Sequence, residues 1–150
     1  MGKIVLATII ISGSAKWLLK VGGNKEKWYG SDRIFMYVMT VFGAMTVNYS
    51  EQCTEYGWVV SNLRLLAGCL LAGGLLSAAY MDRRNCWVYN YVWWWCLPWA
   101  GILGMTAGGE FSGIVAVLVF VMLQQLLFSR MYGKADCHAF SVCALAECGN

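Results

Sequence analysis

The chain has 150 residues, of which 59% are hydrophobic and only 13% are charged, with a formal net charge of +3 at pH 7. A soluble globular domain carries about 25% charged residues, so the composition favours an integral membrane protein with a single membrane domain over residues 1–150. The few basic residues are scattered through short loops and form no basic helix, which argues against a nucleic-acid partner.

Five apolar stretches predict an all-α, polytopic transmembrane helical bundle of about five spans. They run from Ile4 to about Val21, Ile34 to Tyr49, Leu65 (or near Trp58) to Met81, Cys86 to Thr106, and Phe111 to Phe128. The first is the weakest because Lys16 and Lys20 interrupt it. A sixth stretch, from Ala139 to Ala146, is too short to cross and predicts a short C-terminal helix. Barrel strands would alternate apolar and polar residues, and these stretches do not.

The first stretch also fits a signal peptide. Lys3 precedes an apolar run, Ile4 to Ile11, and the small residues Gly13-Ser14-Ala15 resemble a cleavage site. Cleavage there would leave the four lysines between positions 16 and 27 outside the cell, against the rule that basic loops stay cytoplasmic. An uncleaved first helix is therefore favoured.

The basic residues indicate an orientation. Loops after the first, third and fifth stretches contain Lys or Arg, whereas the two intervening loops contain acids and no base. Loops 22–33, 82–85 and 129–136 are therefore expected on the cytoplasmic face of a multi-pass protein of the cell membrane. Arg64 is the basic residue on the opposite side, where its long side chain is expected to snorkel to the interface.

Two aspartates lie at the edges of apolar stretches, each beside basic residues. Asp82 is followed by Arg83 and Arg84, and Asp136 ends the sequence Gly-Lys-Ala-Asp. A carboxylate at a membrane boundary is costly unless it has a partner or a function. Two of them on one face suggest an aspartic dyad, in which one carboxyl holds a proton while the other accepts one from water.

The segment around Asp82 resembles the first active-site motif of type IV prepilin peptidases, the GxGD-type aspartic endopeptidases. In that family an Asp ends a transmembrane helix, and an apolar residue, a Pro and often an Asn follow before the next helix. Val88 and Asn90 fit this pattern, and Tyr89 stands where the family usually has Pro.

The segment that ends at Asp136 is similar to the second motif of the family, Gly-x-Gly-Asp. Gly133 fits the first glycine, Ala135 replaces the second, and Cys137 and His138 follow where the family tends to have an apolar residue and a Lys. The resemblance covers a peptidase-like core of about residues 60–146.

The resemblance implies an aspartic endopeptidase that removes the leader from prepilins or pseudopilin-like peptides at the cytoplasmic membrane face. Asp82 and Asp136 would activate one water from roughly 4–8 Å apart, so their helices are expected to pack together. Four further residues would shape the site or bind substrate: Gly133, Ala135, Asn90 and His138. No cofactor is expected, the partners are the peptide substrate and the lipid bilayer, and a homo-oligomer is left open.

The methyltransferase activity of the family belongs to an N-terminal region with paired CxxC motifs. This sequence contains no such motif, so the expected protein is a short form with peptidase activity only. The seven cysteines have no CxxC spacing, so neither a disulfide framework nor a metal site is expected.

Other interpretations stay open. A non-catalytic membrane scaffold or assembly subunit would pair its loop acids with the adjacent basic residues in solvent. A cysteine peptidase would use His138 with Cys86 or Cys137, although residues i and i+1 do not face each other on a helix. A transporter or channel is disfavoured because, apart from Arg64 and the first stretch, the spans contain no charged residues.

Overall fold

The computed structural model describes residues 2–22, 30–52, 57–106, 111–128 and 133–147. These residues form six α-helices and a π-helical turn, with no strand among them, which confirms the all-α prediction. The helices are α1 (Gly2–Val21), α2 (Gly30–Gln52), α3 (Trp58–Asn85), α4 (Asn90–Thr106), α5 (Phe111–Leu123) and α6 (Lys134–Glu147), and the π-helical turn Gln124–Phe128 continues α5.

The long helix α3 packs against α1, α2 and α4 and forms the centre of the bundle. Its small residues let the neighbouring helices approach closely. A Cβ atom on Gly73 would overlap the Ser14 hydroxyl of α1, and a Cβ atom on Gly74 would overlap the Cys96 thiol of α4. Glycine at these two adjacent positions therefore lets two helices pack against α3 at the same level.

Helix α1 is part of the hydrophobic core. Ile11, Ala15 and Leu18 are each at most 1% exposed. Lys16 and Lys20, which weaken the apolar pattern, are exposed on the outer face of the helix. Cleavage at the small residues that end with Ala15 would remove part of this core.

The structure departs from the prediction in the number of spans. Among the described helices two, α1 and α3, are long and apolar enough to cross a membrane, rather than about five. Helix α4 has 17 residues and contains Pro98, and α5 changes to π-helical geometry after 13 residues. Helix α2 has 23 residues but carries polar residues at both ends. The short C-terminal helix is confirmed as α6, whose 14 residues span about 21 Å.

Contacts between helices bring several of their termini to one end of the bundle. The Tyr91 hydroxyl, in the first turn of α4, donates a hydrogen bond of 2.9 Å to the Leu18 carbonyl near the end of α1. In the first turns of α2, Asp32 lies 4.0 Å from Arg84 of α3. Asp82 is in the same last turn of α3, so we call this side of the molecule the aspartate end.

Candidate functional site

Asp82 lies in the last turn of α3, with an exposed side chain. Its carbonyl accepts a 2.8 Å hydrogen bond from the amide of Cys86, which ends the helix in the left-handed conformation with φ 50° and ψ 30°. Residues 82–85, predicted as a loop, are thus still helical. The Asp82 carboxylate is therefore carried by a helix at the end of the bundle, and not by a loop.

The two arginines that follow Asp82 in sequence contact α2. The Arg83 guanidinium lies 4.8 Å from the centre of the Phe35 ring, a cation–π distance. Arg84 donates a 2.8 Å hydrogen bond to the Tyr80 hydroxyl and lies near Asp32. The scaffold interpretation expected these arginines to pair with Asp82, whereas in the structure they hold α2 against α3.

Asp136 lies in the first turn of α6 and is also exposed. Its amide and that of Cys137 donate hydrogen bonds of 3.0 and 3.2 Å to the Gly133 carbonyl, which starts the helix. The Asp136 Oδ2 atom lies 3.6 Å from the position that a Cβ atom on Gly133 would take, so the carboxylate folds back over the helix start. The positive end of the α6 dipole favours a negative charge at this point.

Asp82 and Asp136 lie at the same end of the bundle. Helix α4 runs antiparallel to α3, because the Arg64 guanidinium of α3 donates a 3.2 Å hydrogen bond to the Leu103 carbonyl near the end of α4. Helix α6 runs in the same direction as α4, since the His138 ring lies 5.9 Å from the Trp93 ring near the start of both helices. The start of α6 is therefore level with the end of α3, and residues 133–136 join the aspartate end.

A groove of about 340 Å³ separates α3 from α6. Its lining comes from four helices: Thr46, Val47, Arg64, Gly68, Leu71, Ala72, Leu75, Leu103, Cys143, Ala146 and Glu147. Helix α6 packs mainly on α4 instead. The expected direct packing of the two aspartate-bearing helices is thus replaced by a gap between them, with α4 as their common neighbour.

Both aspartates lie on the helix faces that line this groove. On α3 the lining residues recur every three or four positions, and the same stripe continues from Leu75 to Asp82, which is 82 − 75 = 7 residues further. On α6 the stripe runs back from Cys143 to Asp136, which is 143 − 136 = 7 residues. Seven helical residues rise about 10.5 Å, so each carboxylate lies about two turns beyond the groove, in the same direction.

The remaining predicted site residues are distributed around the aspartate end. Asn90 is exposed at the first position of α4. Ala135 packs partly against the core, and His138 is partly buried against Trp93. Cys137, a candidate for a thiol nucleophile, is 1% exposed.

Sequence reasoning missed Asp32, a third carboxylate at the aspartate end. Asp32 lies inside the predicted cytoplasmic loop 22–33. The only feature of the sequence that could have indicated it is its position just before the second apolar stretch, which begins at Ile34. Residues 23–29 of that loop lie outside the described residues. In the described part of the chain, His, Cys, Asp and Glu nowhere form a group of three that could hold a metal ion.

No protein-family model, curated protein or solved structure matches this chain. The functional inference therefore depends on the two aspartates, the groove and the helix ends described above.

Proposed function

We propose that this protein is a membrane aspartic endopeptidase that cleaves leader peptides of prepilin-like substrates at the cytoplasmic face of the cell membrane. The observation that carries the proposal is the position of Asp82 and Asp136 at one end of the bundle, on the groove-facing stripes of α3 and α6. The contacts of Arg83 and Arg84 also support it, because these guanidinium groups bind side chains of α2 and do not act simply as partners of Asp82.

The two carboxyl groups would act together on one water. One carboxylate would take a proton from the water as the water oxygen attacks the scissile carbonyl carbon, while the other carboxyl group would donate its proton to the carbonyl oxygen. The first group would then pass its proton to the leaving nitrogen, and the second would take its proton back as the new carboxyl product forms, without a covalent enzyme intermediate.

The outer surface supports a multi-pass arrangement in lipid. Helices α2 and α5 carry large apolar side chains that face outward, including Ile34, Val38, Phe42, Leu118 and Met122, each at least 57% exposed. Water would leave these apolar faces uncovered, whereas lipid would cover them. The basic residues around the aspartate end support a cytoplasmic position for that end, under the positive-inside rule.

The alternative function is a non-catalytic membrane scaffold or assembly subunit. The position of Asp136 favours it, because an acid in the first turn of a helix stabilises the helix without any catalytic role. The two functions differ in what happens when the carboxylates are replaced by amides of the same shape.

The test is co-expression with a prepilin-like substrate that carries a basic leader, with leader removal read as a gel shift. Asp82→Asn and Asp136→Asn are each expected to lower cleavage by at least about 10²-fold, because an amide cannot complete the proton cycle. The double variant should be no worse than either single one, since the pair acts as a unit. Asp32→Asn is the matched control, a carboxylate at the same end that contacts Arg84, and it should cleave normally.

Normal cleavage by the Asp82 and Asp136 variants, at wild-type membrane levels, would reject the aspartic mechanism. Loss of cleavage on replacing His138, Cys86 or Cys137 would then identify the cysteine mechanism in its place. Absence of cleavage by the wild-type protein, with normal insertion of all variants, would favour the scaffold.

A further inference from the structure

Two lysines on the outer face of α1 have no partner among the described residues. Lys16 and Lys20 are exposed and lie one turn apart on the same side of the helix. In the part of the chain that the structure describes, neither ammonium group forms a hydrogen bond or an ion pair. Arg64 of α3 differs: it was expected to snorkel outward but is only 9% exposed, and its guanidinium donates hydrogen bonds of 3.2 Å to the Leu103 carbonyl and the Thr106 hydroxyl of α4. The two lysine side chains are therefore available to a ligand from outside the bundle.

The two lysines continue an apolar stripe that faces away from the bundle. Val5 and Ile9, which are 59% and 62% exposed, lie on the same side of α1, because positions 5, 9, 16 and 20 return to one helix face. Beside this stripe a Cβ atom on Gly13 would meet nothing within 4 Å, so the surface is open at that level. We call the surface formed by Val5, Ile9, Lys16 and Lys20 the lysine face. It is apolar toward the start of α1 and cationic toward its end.

The position of the two lysines along α1 corresponds to a membrane boundary. Helix α1 has 20 residues, or about 30 Å of helix, which is the thickness of a hydrocarbon core, and it is one of the two helices apolar enough to cross it. Lys16 lies 21 − 16 = 5 residues, or about 7.5 Å, before the end of the helix at Val21. Both ammonium groups can therefore reach the level of lipid headgroups. Trp17 lies beside them, 52% exposed with its ring 5.1 Å from the Trp95 ring, and tryptophan is typical of this level.

We propose that the lysine face binds one anionic phospholipid, with an acyl chain along Val5 and Ile9 and the phosphate at Lys16 and Lys20. An unpaired ammonium group at the edge of the hydrocarbon core is costly, and a phosphate offsets this cost through charge-assisted hydrogen bonds. Helix α1 contains no acidic residue, so nothing on it would attract the ammonium group of a zwitterionic headgroup. Charge therefore favours a headgroup with net negative charge, and the apolar stripe favours a lipid over free phosphate.

This inference depends on the proposed membrane location and is independent of the proposed peptidase activity, because it concerns α1 and is read without any cleavage assay. The test uses the purified full-length protein in detergent with an equimolar mixture of glycerol and choline phospholipids of identical chains. The amounts of the two lipids retained are measured by native mass spectrometry. The wild-type protein should retain the anionic glycerol lipid in preference to the choline lipid. Soluble glycerol 3-phosphate, which has no chain, should not displace it at the same concentration.

Variants of the exposed lysines locate the site. Lys16→Gln and Lys20→Gln should each lower the preference for the glycerol lipid by roughly fivefold, because each removes one cation from the phosphate. Lys16→Arg should keep the preference, since it keeps the charge. Lys3→Gln is the matched control, because Lys3 is exposed at the opposite end of the same helix and its removal changes the net charge equally. It should retain the wild-type preference. The thermal unfolding midpoint without added lipid verifies that each variant is folded.

Equal retention of the two lipids by the wild-type protein would overturn the proposal. An unchanged preference in a folded double variant, Lys16→Gln with Lys20→Gln, would also overturn it, since the anionic lipid would then bind elsewhere. An equal loss of preference in Lys3→Gln would reduce the effect to net charge and reject a site on the lysine face. Displacement of the lipid by an equimolar acidic peptide would assign this face to a protein partner instead.

Discussion

Replacing Gly73 with alanine should separate α1 from α3 and destabilise the bundle. The new Cβ atom would overlap the Ser14 hydroxyl and come within 3.0 Å of the Ile11 carbonyl oxygen, which is main chain and cannot rotate away. Overpacking of this kind costs about 1–3 kcal/mol, while the better helix propensity of alanine returns roughly 0.8–1.0 kcal/mol. The expected net loss of stability is therefore up to about 2 kcal/mol.

Gly13→Ala is the matched control, because Gly13 lies inside α1 and a Cβ atom there would meet nothing within 4 Å. The Gly13→Ala variant gains helix propensity without any overpacking. The free energies of unfolding of the two variants should therefore differ by about 1–3 kcal/mol, which is the cost of overpacking at Gly73. The assay is reversible unfolding in mixed micelles followed by circular dichroism. Ser14→Ala should rescue part of the Gly73→Ala loss in a double-mutant cycle. Equal stability of Gly73→Ala and Gly13→Ala would refute the close packing of α1 on α3.

Two further changes test local geometry, each by the same unfolding assay. Cys86→Gly should stabilise the protein by roughly 0.5–1 kcal/mol, because Cys86 has φ 50° and glycine adopts this conformation without strain; a loss of stability would contradict the αL end of α3. Trp95→Phe should cost about 1 kcal/mol more than Trp99→Phe, since the Trp95 indole donates a 3.3 Å hydrogen bond to a main-chain carbonyl whereas the buried Trp99 indole nitrogen has no partner in the described structure. Equal costs would contradict that assignment.

The helices themselves could be predicted from the sequence with good accuracy. Apolar runs gave the places of all six, and the predicted end of the fourth stretch at Thr106 is the end of α4. The start of that stretch was predicted at Cys86, but the left-handed conformation of this residue ends α3, and α4 begins at Asn90. Hydropathy cannot detect this late start, because Trp87 and Val88, which lie between the two helices, are as apolar as the helix that follows.

The arrangement of the helices could not be predicted in the same way. The Arg64 side chain binds α4 atoms 39 and 42 positions away in sequence, and no local pattern encodes that partner. Likewise, α6 packs mainly on α4 rather than on α3, and His138 contacts Trp93 where the two helices meet. In the sequence both residues look like ordinary interfacial side chains, so this contact could not be predicted. For the site, the order of the two motifs along the chain and their expected position on one membrane face predicted a pair of aspartates. The groove between α3 and α6 could not be predicted, because it depends on the packing of α6 against α4.

The central claim, that Asp82 and Asp136 act on one water, is tested most directly by the distance between them in lipid. Cysteines at both positions, in a protein whose seven native cysteines are replaced, are treated in proteoliposomes with a bifunctional thiol reagent of about 8 Å span, and the bridged product is read by intact mass. Side chains within roughly 4–8 Å should be bridged within one chain, as a shared water requires. The control pair 82 and 147 should not be bridged. Failure to bridge 82 and 136 with any reagent shorter than about 12 Å would contradict the dyad.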